Sequence, residues 1–192
     1  WLTRIRRGLY YLTPLEGGAA TVVEDAWVLA DAAFAPCYIG GWTAAHHWGL
    51  TEQSFRATFV ATAATIRTRS QTLLGTEFRL VKVPMARVES VAPVWRGAVQ
   101  IRVSSAERTL VDACDDPSWV GGVRHLAEIL TRYHATRSDA GAELLAELER
   151  RRSGSVLANW RAFCLSHCST RRRSRRPAAR SYLRSAARSR RF

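Results

Sequence analysis

No run of the 192 residues is apolar for long enough to span a bilayer, and no signal-peptide pattern opens the chain. The expectation is a chain with no membrane partner. Cysteine is sparse: Cys37, Cys114, Cys164 and Cys168 are irregularly placed and only the last two are close. That spacing argues against a disulfide framework and for the reducing cytoplasm. Acid is missing altogether from residues 150–192, which hold 14 arginines and no Asp or Glu. Also missing are the residues that would make a phosphate fingerprint of Gly40-Gly41 or Gly121-Gly122, namely a third glycine or a Lys-Ser/Thr. No Ser/His/Asp or Cys/His set stands out. The sequence predicts a protein that is not an enzyme, with no cofactor, no catalytic residue and no metal ligand.

A hydrophobic content of 47% is enough to build the core of one ordinary domain with a short additional piece. The formal net charge of +13 misrepresents that domain. Residues 1–149 carry 15 Lys/Arg against 16 Asp/Glu, so the body is near neutral and all of the basicity lies in the C-terminal stretch. Residues 153–192 read as a low-complexity Arg/Ser/Ala/Pro tail, expected to be disordered because it cannot bury a core.

Residues 1–14 (WLTRIRRGLYYLTP) predict a two-stranded hairpin turning near Arg7-Gly8, since glycine accepts the positive φ of such a turn. A lone hairpin is marginal in water, so it must lean on another element. Residues 17–21 read as a loop and 24–36 as a short Ala-rich helix stopped by Pro36. Thr43 is the expected N-cap of a helix from Ala44 to Trp48, with Gly49 as its stop. Three β-like stretches follow at 54–63, 77–84 and 94–105, expected to form a small, partly solvent-facing sheet. A capping box from Ser104 to Glu107 predicts a helix over 104–117. Two amphipathic helices are expected over 120–135, striped by Val123, Leu126, Ala127 and Leu130, and over 138–152, striped by Leu144, Leu145 and Leu148. The fold class is α+β: a small sheet packed by helices over 20–152, preceded by the hairpin piece 1–16.

Candidate chemistry is thin. His46 and His47 point about 100° apart on a helix and do not ligate one ion together. CLSHC (164–168) has three soft ligands where a stable zinc site needs four. Glu107, Arg108 and Asp112 share one helix and read as a cap with a buried ion pair fixing the helix against the sheet. Glu77 and Lys82 are faintly nuclease-like, but a separation of five puts them on opposite strand faces.

Four stretches in order, RRGLYYLTP (6–14), YIGGWTAAHHWGLTEQ (38–53), EFRLVKVP (77–84) and VSSAERTLVDACDDPSWVGGVRHLAEIL (103–130), resemble the AbiEi-type antitoxins of type IV toxin–antitoxin systems, transcriptional regulators of phage defence. The resemblance implies that the N-terminal hairpin is the wing of a winged helix-turn-helix. Arg4, Arg6 and Arg7 would then be DNA-binding wing arginines, and the recognition helix would precede Trp1. It implies that Tyr38, Trp42, Glu107, Arg108 and Asp112 are motif residues with structural roles. The body would be an antitoxin domain countering a nucleotidyltransferase toxin, functionally and without a requirement for direct contact. The whole protein would repress its own promoter.

Two departures from that family shape further expectations. Without a recognition helix the chain is expected to have lost sequence-specific operator binding. The Arg-rich stretch after about Leu157 reads either as an out-of-frame translation of a GC-rich gene or as a natural basic tail. Such a tail would make the chain a non-specific nucleic-acid binder with steep salt dependence. A degenerate nuclease-like domain is the other alternative, and it needs acids converging at a sheet end.

Overall fold

The computed structural model describes residues 2–6, 8–12, 25–137 and 140–151. Arg7, the loop 17–21, CLSHC and the tail 153–192 lie outside the described residues. The fold class is α+β. Its centre is a four-stranded mixed sheet in the order β3 (Cys37–Ile39), β4 (Thr58–Thr62), β6 (Thr76–Lys82), β5 (Ser70–Leu73). β3 runs antiparallel to β4, β4 parallel to β6, and β6 antiparallel to β5.

Strand alternation assigns each face of this sheet a separate apolar layer. Cys37, Ile39, Val60, Phe78 and Leu80 meet Trp27, Ala30, Ala33 and Phe34 of α1 (Ala26–Phe34). Tyr38, Phe59 and Ala61 on the other face meet Trp119 and Val88, the latter from α3 (Met85–Glu89). β3 and nearly all of β4 are buried on both faces, whereas one face of β6 and the edge strand β5 stay partly open, so the expected partly solvent-facing sheet is found on that side. β3 is three consecutive buried residues, a pattern without a period, and for that reason the sequence reading passes over it. β5 is likewise unanticipated. It pairs with β6 through a tight turn in which Leu74 and Gly75 both take positive φ, at +47° and +77°.

The stretch 94–105 is two strands rather than one. Gly97 (φ +59°) folds it into an antiparallel ribbon of β7 (Pro93–Arg96) and β8 (Val99–Arg102). A parallel bridge from Ile39 to Val103 ties this ribbon to β3.

The remaining helices form a second core. α2 (Gly41–His47), α4 (Ala106–Asp115), α5 (Val123–Thr136) and α6 (Ala140–Arg151) bury Ala45, Leu110, Ile129, Leu130, Leu144 and Leu148 together. Each such Leu or Ile contributes roughly 1.5–3 kcal/mol by leaving water. The α5 stripe is rotated from the expected one: Val123 is 71% exposed, whereas Ile129 and Tyr133 are fully buried.

Two caps also differ from expectation. Gly40, not Thr43, precedes α2, and the Thr43 hydroxyl instead accepts from Phe59 N at 2.8 Å. Ser105, not Ser104, caps α4 by accepting from Arg108 N at 3.1 Å. Ser104 is buried and occupied elsewhere, hydrogen-bonded to Thr109 Oγ1 at 2.7 Å.

The N-terminal hairpin pairs β1 (Leu2–Arg6) antiparallel with β2 (Leu9–Leu12), with Gly8 at φ +80° in the turn. It leans on the core that α1 shares with the sheet, through half-buried Ile5 and Leu9. Among the described residues no helix is long and apolar enough to cross a membrane.

Candidate functional site

The motif residues singled out in sequence divide into three places. Tyr38 on β3 and Arg108 and Asp112 on α4 converge on one buried polar centre. Asp112 is the hub: its Oδ2 accepts from the Tyr38 hydroxyl at 2.8 Å, and its Oδ1 accepts from Arg108 Nε at 3.1 Å and Arg87 Nη2 at 2.8 Å. Arg108 and Asp112 meet because residues four apart lie over one another on a helix. Tyr38 reaches them because its neighbour Ile39 is bridged to Val103 and accepts from Ser104 N, immediately before α4.

Residues from α3, which the sequence did not reveal, and from α6, which it did, complete the centre. Arg87 on α3 also reaches Asp115 Oδ2 at 3.3 Å and stacks over the Trp119 ring at 5.0 Å. Arg108 donates from Nη1 to Glu147 Oε1 on α6 and to Ser90 Oγ, both at 3.2 Å. Arg151, at the C-terminal end of α6, donates to Asp115 Oδ2 at 3.0 Å. Glu147 carried a readable signal: it lies between Leu144 and Leu148, so a carboxylate faces inward on an apolar stripe. Arg87 carried none, since its five-residue helix shows no period.

A buried charge is tolerated only when it is paired and hydrogen-bonded. Here both Asp112 oxygens and the Arg108 guanidinium are occupied from within the protein. Burial opposes the Arg108 charge, but Asp112, with Tyr38 and Glu147, outweighs it and holds the guanidinium protonated. The arrangement clamps β3, α3, α4 and α6 to one another; its groups are aimed at each other, not at a cleft.

Trp42 does a different task. Its indole Nε1 donates to Ala57 O at 2.7 Å, and its ring stacks on Phe55 at 4.8 Å. The segment leading into β4 is pinned to α2 as a result, so Phe55 serves this stack and not a strand. Glu107 lies a third of a turn away from Arg108 and joins helices instead, accepting from Tyr133 Oη at 2.9 Å and Arg137 Nη1 at 2.7 Å.

Arg4 is exposed on β1, and Arg6 donates to Ala32 O at 3.4 Å. His46 and His47 are exposed, the latter edge-on to Trp27 at 5.1 Å. Burial, then Arg96 and His46, lower the His47 pKa. Glu77 pairs with Arg56 at 3.4 Å while Lys82 stands at the end of β6. Among the described residues no group of three or more His, Cys, Asp or Glu could hold a metal ion.

The buried protons predict an alkaline instability. Burial and then the Asp112 carboxylate raise the Tyr38 phenol above its ordinary 10.0, and burial with the Glu107 hydrogen bond raises Tyr133 in the same way. Burial, then Asp31, pushes the Cys37 thiol from 9.0 up to about 12. Each group keeps its proton in the folded chain at pH values where the unfolded chain has released it. Their stabilisation is therefore intact below pH 9.0 and is lost as pH rises, over 9.0 to about 12 for Cys37 and from 10.0 upward for the phenols. The urea midpoint should hold to about pH 9 and fall steadily from there to about pH 11, and more gradually in Tyr38→Phe, which has one proton fewer to release. An unchanged slope in that variant would mean that Tyr38 titrates as an exposed phenol.

No family model matches the chain, and no curated protein sequence matches it.

Proposed function

We propose that this chain acts by binding rather than by chemistry, as an antitoxin and transcriptional autoregulator of a type IV toxin–antitoxin system that counteracts a nucleotidyltransferase toxin in the cytoplasm. The observation that carries the reading is the 2.8 Å bond from Tyr38 to Asp112. It joins two stretches, 38–53 and 103–130, whose order and spacing support the family resemblance, and it does so in the interior where a shared fold would need them. The residues of the second stretch that look catalytic are engaged in ion pairs with one another, which suits a scaffold. The exposed Arg4 on the hairpin suits contact with a DNA backbone, which positions a regulator without specifying sequence. Base readout would belong to a recognition helix.

Co-expression tests this. A nucleotidyltransferase of the toxin type, encoded beside the gene on this reading, should arrest growth when induced alone, and growth should return when this chain is co-induced. Failure of a folded, expressed chain to restore growth would reject the antitoxin role. If it restores nothing yet binds any duplex with an affinity that collapses as salt rises, it is a non-specific nucleic-acid binder.

A further inference from the structure

The body is near neutral in sequence, yet it gathers four cations around one concavity. A cleft of about 380 Å³ opens on the sheet face that carries Phe59 and Val81, lined by Arg67, Arg69, Arg79 and Lys82. Among the described residues Asp116 is the only acid lining it, and its Oδ1 already accepts from Ser118 N at 3.0 Å. Four of the fifteen basic residues in 1–149 thus face one acid, where the overall composition would supply about equal numbers. No ion pair or side-chain hydrogen bond joins these four cations to another of the described residues. Elsewhere in the body the arginines are mostly paired, with Arg56, Arg87, Arg96, Arg108, Arg132 and Arg137 among those that meet carboxylates. Among the described residues the cleft gathers four cations without an ion pair in one place.

Topology explains how the cations come together. β4 and β6 are parallel neighbours, while β5 lies on the far side of β6, so the segment 63–69 must cross the carboxyl end of β6 to reach it. The crossing is anchored at both ends, by Ala63 N to Pro36 O at 2.9 Å and by Leu80 N to Arg69 O at 2.7 Å. It carries Arg67, Thr68 and Arg69 over the outlet of the parallel pair, where Lys82 ends β6 and Arg79 projects from mid-strand. Open sheets commonly receive ligands beyond the carboxyl ends of parallel strands. Low-dielectric walls such as Phe59, Ile66 and Val81 concentrate the field of charges set around them.

We propose that this cleft binds the polyphosphate group of a nucleotide-sized ligand. The volume lies within the range of about 300–1,000 Å³ typical of small-molecule sites and far exceeds what one phosphate fills. Three guanidiniums offer paired N–H donors matched to phosphate oxygens, and Lys82 adds a compact point charge. Thr68 and Ser118 line the same space and carry hydroxyls that can serve as neutral donors. A net lining charge near that of a triphosphate, with the sign reversed, favours two or three phosphates over one. The proposal is independent of the antitoxin reading, and neither falls with the other.

Lys82 is the only lysine in the chain, which makes the test site-specific despite the basic tail. Limiting acetylation of the full chain, read by peptide mass spectrometry, reports Lys82 with the α-amino group as the internal control. ATP at about ten times its dissociation constant should slow Lys82 acetylation about tenfold and leave the α-amino rate unchanged. Arg79→Gln should abolish that protection while thermal unfolding is unaltered; should it not fold, the exposed Arg67→Gln serves the same purpose. Equal protection by inorganic triphosphate would assign the ligand as a free polyphosphate, and weaker protection by it would assign a nucleotide; both support a polyphosphate site. Protection that survives both variants, or that falls equally on the α-amino group, would overturn the proposal. So would tighter protection by a single-stranded RNA lacking a terminal phosphate, which would make the cleft a nucleic-acid groove.

Discussion

Replacing Asp112 by alanine is expected to lower the unfolding free energy by about 3–5 kcal/mol, the cost of stranding a buried partner charge. Asp112 is only 1% exposed, and its carboxylate holds two guanidiniums whose side chains are 10% and 9% exposed. Without it, Arg87 retains Asp115 and Arg108 retains Glu147, so two positive charges face each other with less compensation. Water cannot easily enter to replace the lost oxygens, because Asp112 and its partner Tyr38 are both buried. Asp112→Asn should cost less, since an amide oxygen can still accept one bond. Tyr38→Phe should cost about 1.5–3 kcal/mol, the range for a hydrogen bond to a charged group. The Tyr38→Phe/Asp112→Ala double variant should be less destabilised than the sum of the singles, because both remove the same bond. Urea denaturation of the four variants provides the measurement. An Asp112→Ala protein within about 1 kcal/mol of the parent would mean that the ion-pair cluster contributes little to folding.

The second large effect is expected at Gly41, which begins α2 at φ +53°. A Cβ there would lie 2.4 Å from the backbone oxygen of Trp119 and 2.7 Å from Cγ of Phe59. Neither neighbour can yield. Trp119 O belongs to the 3₁₀ turn Pro117–Val120, held between α4 and α5, and Phe59 lies on a central strand buried on both faces. Gly41→Ala should therefore cost about 4 kcal/mol or more, combining left-handed backbone strain with overpacking. Gly49 provides the control. It has φ +68°, but nothing lies within 4 Å of the place a Cβ would take, so Gly49→Ala should cost only the backbone strain, about 1–2 kcal/mol. Comparable losses in the two variants would show that α2 can draw back from the turn.

Both effects bear on function through the same physics. The stretch 38–53 contributes Tyr38 to the ion-pair centre, Gly41 to the close approach of α2 and the 3₁₀ turn, and Trp42 to the clamp on Phe55 and Ala57. Its aromatic and glycine content, which first invites a search for chemistry, is explained by packing. Charge without an ion pair gathers instead where the crossover between β4 and β5 meets β6, and two of its four cations, Arg67 and Arg69, lie in a segment that no motif marks.

The elements with a local period were legible in the chain itself. The turn at Gly8, α1 ending before Pro36, the alternation of β6, the apolar stripe of α6 and the presence of α5, though not the face it buries, follow from side-chain spacing within a window of a dozen residues. The i,i+4 pairing of Arg108 with Asp112 is local in the same sense, and so is the contrast between a neutral body and an acid-free C-terminal stretch. Tertiary structure decided the rest. β3 has too few residues to show a period, and its partner β4 lies beyond a helix. Glu107 parts from Arg108 because neighbours on a helix face different elements, and Asp112 is completed by Tyr38 and Arg87 from distant segments, 74 and 25 residues away. Four cations that look scattered along 67–82 share one cleft because strand order forces the chain across β6. Periodicity is a property of neighbouring residues, whereas charge compensation and strand pairing depend on which distant segments meet, and that is settled only when the chain closes on itself.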